Sequence, residues 1–485
     1  MTTVAPAPAG ESLFIDGRWR SAAAAFRATD PADPRRETGA YSAATAADVA
    51  DAYAAAAKAQ PEWAATPAPE RAEFLRQAAA AVEAAAEDLA LAMTADMGKT
   101  IRDARAEALR AASIFRYFAG EVLQSAGEVY PSADPATTLL TLSEPVGVVL
   151  AITPWNFPVA VPAWKIAPAL GFGNAVVWNP AEASTGTAVR LTAALADAGP
   201  PAGLLNVVTG SGAALSPALT GGPRRGAVAF TGAGRVGTSL REAVADRNVK
   251  VQPEMGGKNP LVVLADADLA DAAERIVSAS MFSTGQRCTA TSRVYVEAAV
   301  EGELRKLLIE RIRALVVGDP RDEATDVGPL ASRAQYEKFH HYLQLAEAEG
   351  AEIIAGGRTG TERSGYFVSP TLLAGVADDS PLMHEEISGP LAVLQPVAGT
   401  EEALEKANDT AFGLAASVFT SNLGNTMAFL RRSRAEMVHV NRETTGVEPH
   451  VPFGGLKASS NTDREQGKAA RAFFTNVKTA YIRSA

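Results

Sequence analysis

Short apolar runs alternate with segments of helical pattern between Val146 and Leu264, and this alternation constrains the fold more than any other feature of the chain. Apolar runs of this length, separated by helical segments, are typical of buried strands in strand–helix–strand units. Such units build a mostly parallel, doubly wound sheet. The predicted strands of this first set are Val146–Ile152, Ala175–Trp178, Leu205–Val208, Ala227–Phe230 and Leu261–Leu264.

A second set of strands follows, so we expect two α/β domains in a chain of 485 residues. Its predicted members are Ser292–Val296, a helix that begins at Glu301, and then Leu391–Leu394, Ala416–Thr420 and Met437–Asn441.

The two ends of the chain carry other patterns. Leu13-Phe14-Ile15 followed by Asp16-Gly17 predicts a hairpin turn, and the tail Asn476–Arg483 alternates like an exposed edge strand that needs a partner. Apolar residues at helical spacing predict long helices in the N-terminal third, over Ala47–Gln60, Pro69–Met97 and Arg102–Leu123.

One stretch resembles a membrane span in length. Pro145–Trp164 holds no charged residue, and about 20 apolar residues are enough to cross a bilayer. However, Pro154, Pro158 and Pro162 interrupt it, and prolines at that density break a helix. We therefore expect a buried strand, a turn and the start of a helix.

Charge and cysteine content exclude several classes of protein. The formal net charge is −10 and the basic residues are scattered, which gives no footprint for nucleic acid or for an anionic membrane. A single cysteine cannot form an internal disulfide, so the chain does not depend on an oxidising compartment. Met1–Gly10 lacks the pattern of a secretory signal. The sequence predicts a cytoplasmic protein.

The single cysteine, Cys288, lies among small and polar residues in Ser283-Thr284-Gly285-Gln286-Arg287-Cys288-Thr289-Ala290. A structural cysteine is usually surrounded by apolar residues and inert. A neighbouring arginine favours the nucleophilic thiolate, and Arg287 directly precedes this cysteine. An inert cysteine is the commoner case for such a residue taken alone, so both interpretations stay open at this point.

Two further motifs offer a base and an oxyanion donor. Glu254 precedes Met255-Gly256-Gly257, where glycine lets the backbone approach a ligand, and its carboxylate can act as a general base for water. Asn156, in Thr153-Pro154-Trp155-Asn156-Phe157-Pro158, follows a predicted parallel strand, and its amide can donate to a developing oxyanion. The alternatives are a solvated acidic turn and a rigid turn whose Asn binds only backbone groups.

A glycine-rich turn follows another predicted strand. Phe230-Thr231-Gly232-Ala233-Gly234-Arg235-Val236-Gly237 brings a helix N-terminus to a position that suits a phosphate. The spacing differs from the dinucleotide-binding fingerprint, so the turn alone is a weak indication.

In this order, the four motifs resemble the aldehyde dehydrogenase superfamily. The resemblance runs over nearly the whole chain and includes the separation of 34 residues between Glu254 and Cys288 (288 − 254). It also rests on Phe14–Trp19, Trp164–Leu170, Gly173–Val177, Glu385–Pro390, Phe412–Ser417 and Pro452–Gly455.

The resemblance implies a mechanism and a cofactor. Cys288 attacks the aldehyde, Asn156 and the backbone N–H of Cys288 hold the oxyanion, hydride passes to the nicotinamide, and Glu254 activates water to release the acid from a thioester. The implied cofactor-binding residues are Ile152, Thr153, Pro154, Trp155, Lys165, Asn179, Glu182, Gly212, Phe230, Thr231, Gly232, Ala233, Val236, Met255, Gly256, Glu386 and Ser388.

Three departures from the family pattern fall on these cofactor positions. Asn179 replaces a lysine that often faces the adenosine ribose or a 2′-phosphate, while Glu182 is retained, which favours NAD over NADP. Ala233 and Gly234 replace hydroxyl residues, and Ser388 replaces a Phe that packs beside the nicotinamide ribose. We expect weaker binding of NAD than in a typical member.

The C-terminal motifs resemble the branch that acts on α-ketoglutarate semialdehyde (2,5-dioxovalerate). They are Asn441–Gly455, Ser459-Ser460, Arg464–Lys468 and Phe473-Phe474-Thr475. The carboxylate of such a substrate needs a cation, ideally a bidentate arginine. Arg287 and Arg116 are the candidates, and pairing of either one with a structural carboxylate is the alternative.

The resemblance also implies an architecture: an NAD-binding domain (residues 1–125 and 146–256), a catalytic domain (257–455) and a small β oligomerisation arm (126–145 and 470–485). The arm suggests a homodimer or homotetramer. A CoA-acylating enzyme, a broad-specificity enzyme and a non-catalytic cofactor-binding scaffold remain as alternatives. The five histidines show no metal-ligand spacing, so no metal is expected.

Overall fold

A computed structural model describes residues 10–222, 225–357, 364–461 and 463–483. The absence of a secretory signal was predicted from Met1–Gly10. Of these residues, only Gly10 lies within the described ranges. Within it, no helix is long and apolar enough to cross a membrane.

Fifteen α-helices occur in the described ranges. They are α1 (Ala46–Ala65), α2 (Ala68–Ala84), α3 (Ala86–Met97), α4 (Ile101–Glu121), α5 (Ala160–Gly171), α6 (Thr185–Asp197), α7 (Gly212–Thr220), α8 (Gly234–Ala243), α9 (Leu269–Met281), α10 (Glu301–Ala314), α11 (Arg333–Ala348), α12 (Pro381–His384), α13 (Thr400–Asn408), α14 (Leu423–Arg432) and α15 (Ala469–Phe474).

The strands of the same ranges number twenty-one. They are β1 (Leu13–Ile15), β2 (Arg18–Arg20), β3 (Ala24–Asp30), β4 (Asp33–Ala43), β5 (Val129–Tyr130), β6 (Thr137–Pro145), β7 (Val148–Thr153), β8 (Ala175–Pro180), β9 (Leu205–Val207), β10 (Arg225–Thr231), β11 (Asn248–Glu254), β12 (Asn259–Val263), β13 (Thr291–Glu297), β14 (Glu352–Ala355), β15 (Thr371–Ala374), β16 (Leu391–Val397), β17 (Phe412–Gly413), β18 (Ala415–Phe419), β19 (Met437–Val440), β20 (Leu456–Lys457) and β21 (Thr475–Arg483).

The first large sheet has the strand order β11-β10-β7-β8-β9-β1-β2. Its five strands from β7 to β11 pair in parallel, whereas β1 joins β9 antiparallel. The chain leaves β7 through β8 and β9 on one side and returns to β10 and β11 on the other. This is the predicted doubly wound arrangement, and its order reverses between β7 and β10, where ligands of such sheets bind.

The second large sheet has the order β14-β15-β16-β13-β12-β18-β19, and every pair except β14 with β15 is parallel. The predicted α/β class is therefore confirmed. The run Leu261–Leu264 was grouped with the first sheet, and this was wrong, because β12 pairs with β13 and β18 of the second sheet. The strand that completes the first sheet is β11, which the sequence analysis missed.

Most predicted helices are confirmed, with one correction. The pattern over Pro69–Met97 was interpreted as one helix, but it forms α2 and α3 with a break at Ala85 (φ −86°, ψ 5°). The hairpin at Asp16-Gly17 is confirmed, since both residues have positive φ and β1 pairs with β2. The uncharged run Pro145–Trp164 becomes β7, a turn and the start of α5, as predicted.

A smaller three-stranded sheet, β21-β6-β5, stands apart from the two large ones. Strand β21 pairs antiparallel with β6 along its whole length, and Val477 and Tyr481 on it are about three-quarters exposed. Helix α15, which precedes β21, belongs elsewhere: Phe473 and Phe474 are buried in the core around the first sheet. The small sheet thus includes the chain from Thr475 onward but not helix α15.

Candidate active site

A cavity of about 360 Å³ lies at the carboxyl ends of β7 and β10. The turn after β7 contributes Pro154, Trp155 and Asn156 to its wall, and the turn after β10 contributes Gly232 and Ala233. Other walls come from α4 and from segments of the second sheet, including the loop that carries Cys288. The position where the strand order reverses therefore faces the cysteine.

Cys288 is held in the cavity wall by its backbone. The side chain of Asn259, on β12, donates to the carbonyl oxygens of Cys288 (2.8 Å) and Ala290 (2.9 Å). The preceding turn is tightly folded, since Ser283, Thr284 and Gly285 all have positive φ. A Cβ on Gly285 would overlap with the carbonyl of Gly389, so this close approach requires glycine.

The electrostatic surroundings of Cys288 differ from the prediction. Burial and, to a smaller extent, the carboxylates of Glu386 and Glu254 together raise the pKa of the thiol to about 12. The expectation that Arg287 favours the thiolate was wrong, because the Arg287 guanidinium lies toward Asp103 and Ser283 instead. Formation of the thiolate thus requires a base to take the proton.

Asn156 lines the same cavity with its side-chain amide fixed. Its Nδ2 donates to the carbonyl of Gln286, at 2.9 Å. Its Oδ1 is enclosed and has no hydrogen-bond partner among the described residues. A flipped amide would bring Oδ1 against the Gln286 carbonyl, which is repulsive. One proton of Nδ2 is therefore used by Gln286, and the other is left for a ligand.

Glu254, the last residue of β11, is buried at the cavity wall. Ser460 Oγ donates to its Oε1 at 2.5 Å, while Oε2 is enclosed without a partner in the described part of the chain. Burial raises the pKa of this carboxyl well above its usual value, and the nearby Glu465 carboxylate adds to the effect. Such a group keeps its proton to a higher pH than an exposed glutamate does.

Lys165 lies behind Glu254 rather than in the cavity wall. Its ammonium is fully buried and forms an ion pair with Glu465. The resemblance implied that Lys165 lies along the cofactor. Its side chain instead points into the interior, because all residues of helix α5 are buried. Its charge lowers the pKa of Glu465, opposing the effect of burial.

Several predicted cofactor residues come together in the cavity wall. The carboxylate of Glu386 packs directly on Gly256, where a Cβ would overlap with it. Ser388, at φ 58°, donates from Oγ to Glu386 Oε1 at 3.2 Å. Burial raises the pKa of Glu386. The predicted cofactor residues that line this cavity are Pro154, Trp155, Thr231, Gly232, Ala233, Met255, Gly256, Glu386 and Ser388.

Other predicted cofactor residues lie outside the cavity. Asn179 is buried and donates from Nδ2 to the carbonyl of Val208 at 2.8 Å, so its amide supports the backbone next to Gly212. Thr153 accepts a hydrogen bond from Trp178 Nε1, and Phe230 packs with Met255 in a small apolar cluster. The predicted cofactor residues outside the cavity wall are Ile152, Thr153, Lys165, Asn179, Glu182, Gly212, Phe230 and Val236.

Of the two predicted substrate arginines, only Arg287 reaches the cavity. It is 15% exposed, contacts Ser283 Oγ at 3.1 Å, and lies 3.7 Å from Asp103 Oδ2. The prediction that Arg116 binds the substrate was wrong, because Arg116 lies on the outer face of α4 and pairs with Glu83 at the surface.

The sequence analysis missed Arg110, which lies on α4 and lines the cavity. It donates to the carbonyl of Val447, and Glu448 lies 3.9 Å away. Lys99, Glu107 and Lys338 also line the cavity and were missed. The sequence gives little indication that Arg110 lines the cavity, because the loop that it contacts at Val447 comes 337 positions later in the chain.

No three side chains of His, Cys, Asp or Glu gather as a candidate metal site within the ranges that the structure describes.

Comparison with known proteins places these residues in a family context. The model of a family described as "Aldehyde dehydrogenase family" matches residues 19–480. The alpha-ketoglutaric semialdehyde dehydrogenase of Bacillus subtilis is 40% identical over 475 residues, which cover 97% of both chains.

Solved structures agree with this match. An NAD-dependent aldehyde dehydrogenase from Sinorhizobium meliloti superposes with a TM-score of 0.95 at 35% identity, covering 98% of this chain and 94% of that one. A betaine aldehyde dehydrogenase from Staphylococcus aureus in complex with NAD+ superposes with a TM-score of 0.94 at 30% identity, covering 98% and 94%.

Proposed function

The chain belongs to the aldehyde dehydrogenase family, and from that premise we propose that it oxidises an acidic semialdehyde, α-ketoglutarate semialdehyde foremost, with NAD as the hydride acceptor. The product is the corresponding dicarboxylic acid, released from a thioester on Cys288. One observation carries the assignment of roles: Cys288, Asn156 and Glu254 line a single cavity.

In the first step, the sulfur of Cys288 attacks the aldehyde carbon and forms a thiohemiacetal. Because the pKa of this thiol is raised to about 12, the attack needs a base, and Glu254 lines the same cavity. The proton of Asn156 Nδ2 that Gln286 leaves unused, together with the backbone N–H of Cys288, donates to the new oxyanion.

Loss of hydride from the thiohemiacetal carbon to a bound nicotinamide would leave a thioester on Cys288. In the second step, water attacks this thioester, the bond between carbon and sulfur breaks, and the Cys288 thiolate leaves. Glu254 takes a proton from this water through Oε2, which has no other described partner. The raised pKa makes the carboxylate a stronger base than an exposed glutamate. Lys165 and Glu465 lie behind it and supply further charge and proton-holding capacity.

The cavity fits a dinucleotide at the turn after β10. Helix α8 begins at Gly234 with Ala233 as its N-cap, and no side chain caps its first N–H groups, which suits a phosphate. Thr231 Oγ1 is enclosed without a described partner and adds a donor. Glu386 and Ser388 suit a ribose. NAD, when bound, accepts the hydride of the aldehyde.

The preference for NAD over NADP, and the weaker binding, are part of the proposal. Glu182 is exposed at the start of a short helical turn, where a carboxylate accepts from ribose hydroxyls and repels a 2′-phosphate. The amide of Asn179 is used by Val208, so it does not replace the missing lysine. Ala233 gives no hydroxyl to the pyrophosphate.

The preference for an acidic aldehyde rests on the cations of the cavity. Arg287 is more buried than Arg110. Its guanidinium makes polar contacts with Thr445, Ser283 and Asp103. Arg110 stands on α4 as a second cation with greater exposure. Asp103 partly neutralises Arg287, so we propose that the substrate carboxylate competes with Asp103 for this guanidinium.

We retain the division into a cofactor domain, a catalytic domain and an arm as a proposal, with the arm beginning at Thr475 on its C-terminal side. The exposed apolar side chains of β21 and β5, among them Val477 and Val129, favour pairing with another copy as a homodimer or homotetramer. A cytoplasmic location fits the single cysteine.

A panel of aldehydes tests the proposal by the near-ultraviolet absorbance of NADH. The panel holds α-ketoglutarate semialdehyde, succinate semialdehyde, glycolaldehyde and a neutral alkanal, each with NAD and with NADP, and Cys288→Ser is the matched control. We expect a preference for the acidic aldehydes with NAD and no turnover by the control. Activity on neutral aldehydes alone would refute the substrate, and a requirement for CoA would refute hydrolysis.

A further inference from the structure

A buried ion pair lies directly under the turn that carries Asn156. Lys99, just before α4, and Glu107, within α4, have side chains that are 1% and 2% exposed, and they form a salt bridge. Both residues line the cavity that holds Cys288. Burial of two charges is costly unless each is fully paired. The contacts of the pair therefore indicate which part of the structure it stabilises.

The ammonium of Lys99 has a partner in each of three directions. It forms the ion pair with Glu107, donates to the backbone carbonyl of Asn156 at 2.7 Å, and lies 4.1 Å from the centre of the Phe157 ring. A lysine ammonium has three protons, so its donor capacity is fully used. Two of the three contacts fall on the Asn156-Phe157 turn.

The carboxylate of Glu107 holds the other end of the same turn. Its Oε1 accepts from the backbone N–H groups of Val159 (2.9 Å) and Ala160 (3.0 Å), which open helix α5. Val159, the N-cap of α5, gives no side-chain cap, so the acceptor comes from Glu107, 52 residues away in the chain. A carboxylate at a helix N-terminus is favourable.

The pair therefore spans the turn from Asn156 to Ala160 without touching the amide of Asn156. That amide is held separately, by the Gln286 carbonyl. The backbone of Asn156 and its side chain are thus fixed from opposite sides, by α4 and by the cysteine loop. Loss of either contact would let Nδ2 move relative to Cys288.

We propose that Lys99 and Glu107 are positioning residues for the oxyanion donor Asn156. They set its backbone so that the free Nδ2 proton meets the oxyanion formed on attack by Cys288. The inference rests on the proposed roles of Cys288 and Asn156. Attack of Cys288 on the aldehyde and attack of water on the thioester both develop an oxyanion, so both steps depend on Lys99. Glu254 is held by Ser460 and is independent of the pair, so proton removal by Glu254 does not depend on Lys99.

The test separates these two steps in Lys99→Met and Glu107→Gln. Single-turnover formation of NADH reports acylation, and decay of the thioester after the first turnover reports hydrolysis. We expect acylation to fall by about ten- to a hundredfold, less than the loss of a whole oxyanion donor. Hydrolysis should slow as well, because the thioester carbonyl develops its oxyanion at the same donor. The pH dependence of hydrolysis, which depends on Glu254, and the dissociation constant of NAD should not change. Lys99→Arg should recover part of the loss.

A matched control comes from the other end of α4. Glu121 is buried and lies 3.6 Å from Arg471, away from the cavity, so Glu121→Gln removes a comparable pair. We expect it to lower the melting temperature without a change in acylation. Equal acylation rates in Lys99→Met and the wild type would overturn the proposal. So would weaker binding of NAD or a shifted pH dependence of hydrolysis in Lys99→Met, since either would indicate a general structural effect.

Acylation of Cys288 by p-nitrophenyl acetate gives a readout that needs no hydride acceptor. The thiolate attacks the ester carbonyl, p-nitrophenolate leaves, and the same oxyanion donor is required. A wild type that oxidises no aldehyde would refute the proposed function alone, because slower ester acylation in Lys99→Met would still support the positioning role. Unchanged ester acylation would overturn it. Glu107→Gln, nearly isosteric, serves if Lys99→Met does not fold.

Discussion

Replacement of Arg287 by Ala should impair the enzyme toward acidic aldehydes and spare neutral ones. Arg287 is 15% exposed at the cavity wall, so its interaction with a carboxylate is poorly screened by water. A hydrogen bond to a charged partner contributes about 1.5–3 kcal/mol under such conditions. Each 1.4 kcal/mol corresponds to about a factor of ten, so KM should rise about ten- to a hundredfold.

The two other arginines of this region give graded controls. Arg110 is 40% exposed, and exposed ion pairs contribute only about 0.2–1 kcal/mol, so Arg110→Ala should raise KM by no more than about fivefold. Arg116 pairs with Glu83 on the outer face of α4, so Arg116→Ala should leave KM unchanged. Asp103→Asn should lower KM, because the competing carboxylate is removed.

The assay is initial-rate kinetics with α-ketoglutarate semialdehyde and with a neutral alkanal of similar length. The decisive quantity is the ratio of the two KM values in each variant relative to the wild type. An equal rise of KM for both aldehydes in Arg287→Ala would refute the reasoning, since a neutral chain offers no charge to Arg287. So would an effect of Arg116→Ala that matches that of Arg287→Ala.

Three further predictions follow from the site and the core. Glu254→Gln should slow the burst of NADH, because Cys288 loses the base that takes its proton, and should slow turnover by about 10²–10⁴-fold. Since the pKa of Glu254 is raised, wild-type hydrolysis should decline as pH falls through a value above the usual glutamate range, and a flat profile down to that range would contradict this. Ala233→Ser should tighten binding of NAD by about two- to tenfold, for one added hydrogen bond, whereas a low-micromolar dissociation constant for the wild type by calorimetry would contradict the weak binding. Burial raises the pKa of Asp96 to about 6, so the folded state binds a proton that the unfolded state releases. The free energy of unfolding should therefore fall by about 2 kcal/mol as the pH rises from 4 to 6, and Asp96→Asn, followed by urea unfolding, should remove that slope.

The strands of the first sheet could be predicted because they are apolar throughout and bounded by turns. Strand β11 could not, because Asn248, Lys250 and Gln252 interrupt its apolar residues. It lies at the edge of the sheet, where a strand needs fewer apolar side chains. The break at Ala85 was also invisible, since alanine is the best helix former and gives no stop signal.

That Cys288, Asn156 and Glu254 lie together could be predicted because each belongs to a local motif. Which arginine lines the cavity could not, because that depends on the face of a helix. Arg110 and Arg116 are both on α4 and are separated by 6 positions (116 − 110), or about 240° around a helix. The sequence places both on one helix but does not say which face meets the loop at Val447. Lys165 was misplaced for a related reason: its partner, Glu465, comes 300 residues later.

The hydrogen bond from Ser460 to Glu254 and the ion pair of Lys165 with Glu465 also determine when during its synthesis the enzyme becomes active. A ribosome that has just added Cys288 has already made the nucleophile, the oxyanion donor and the base. Ser460 is added 206 residues after Glu254, and Glu465 is added 300 residues after Lys165. A chain that ends before Ser460 therefore carries Cys288 and Glu254 without the groups that hold Glu254, and we expect it to oxidise no aldehyde.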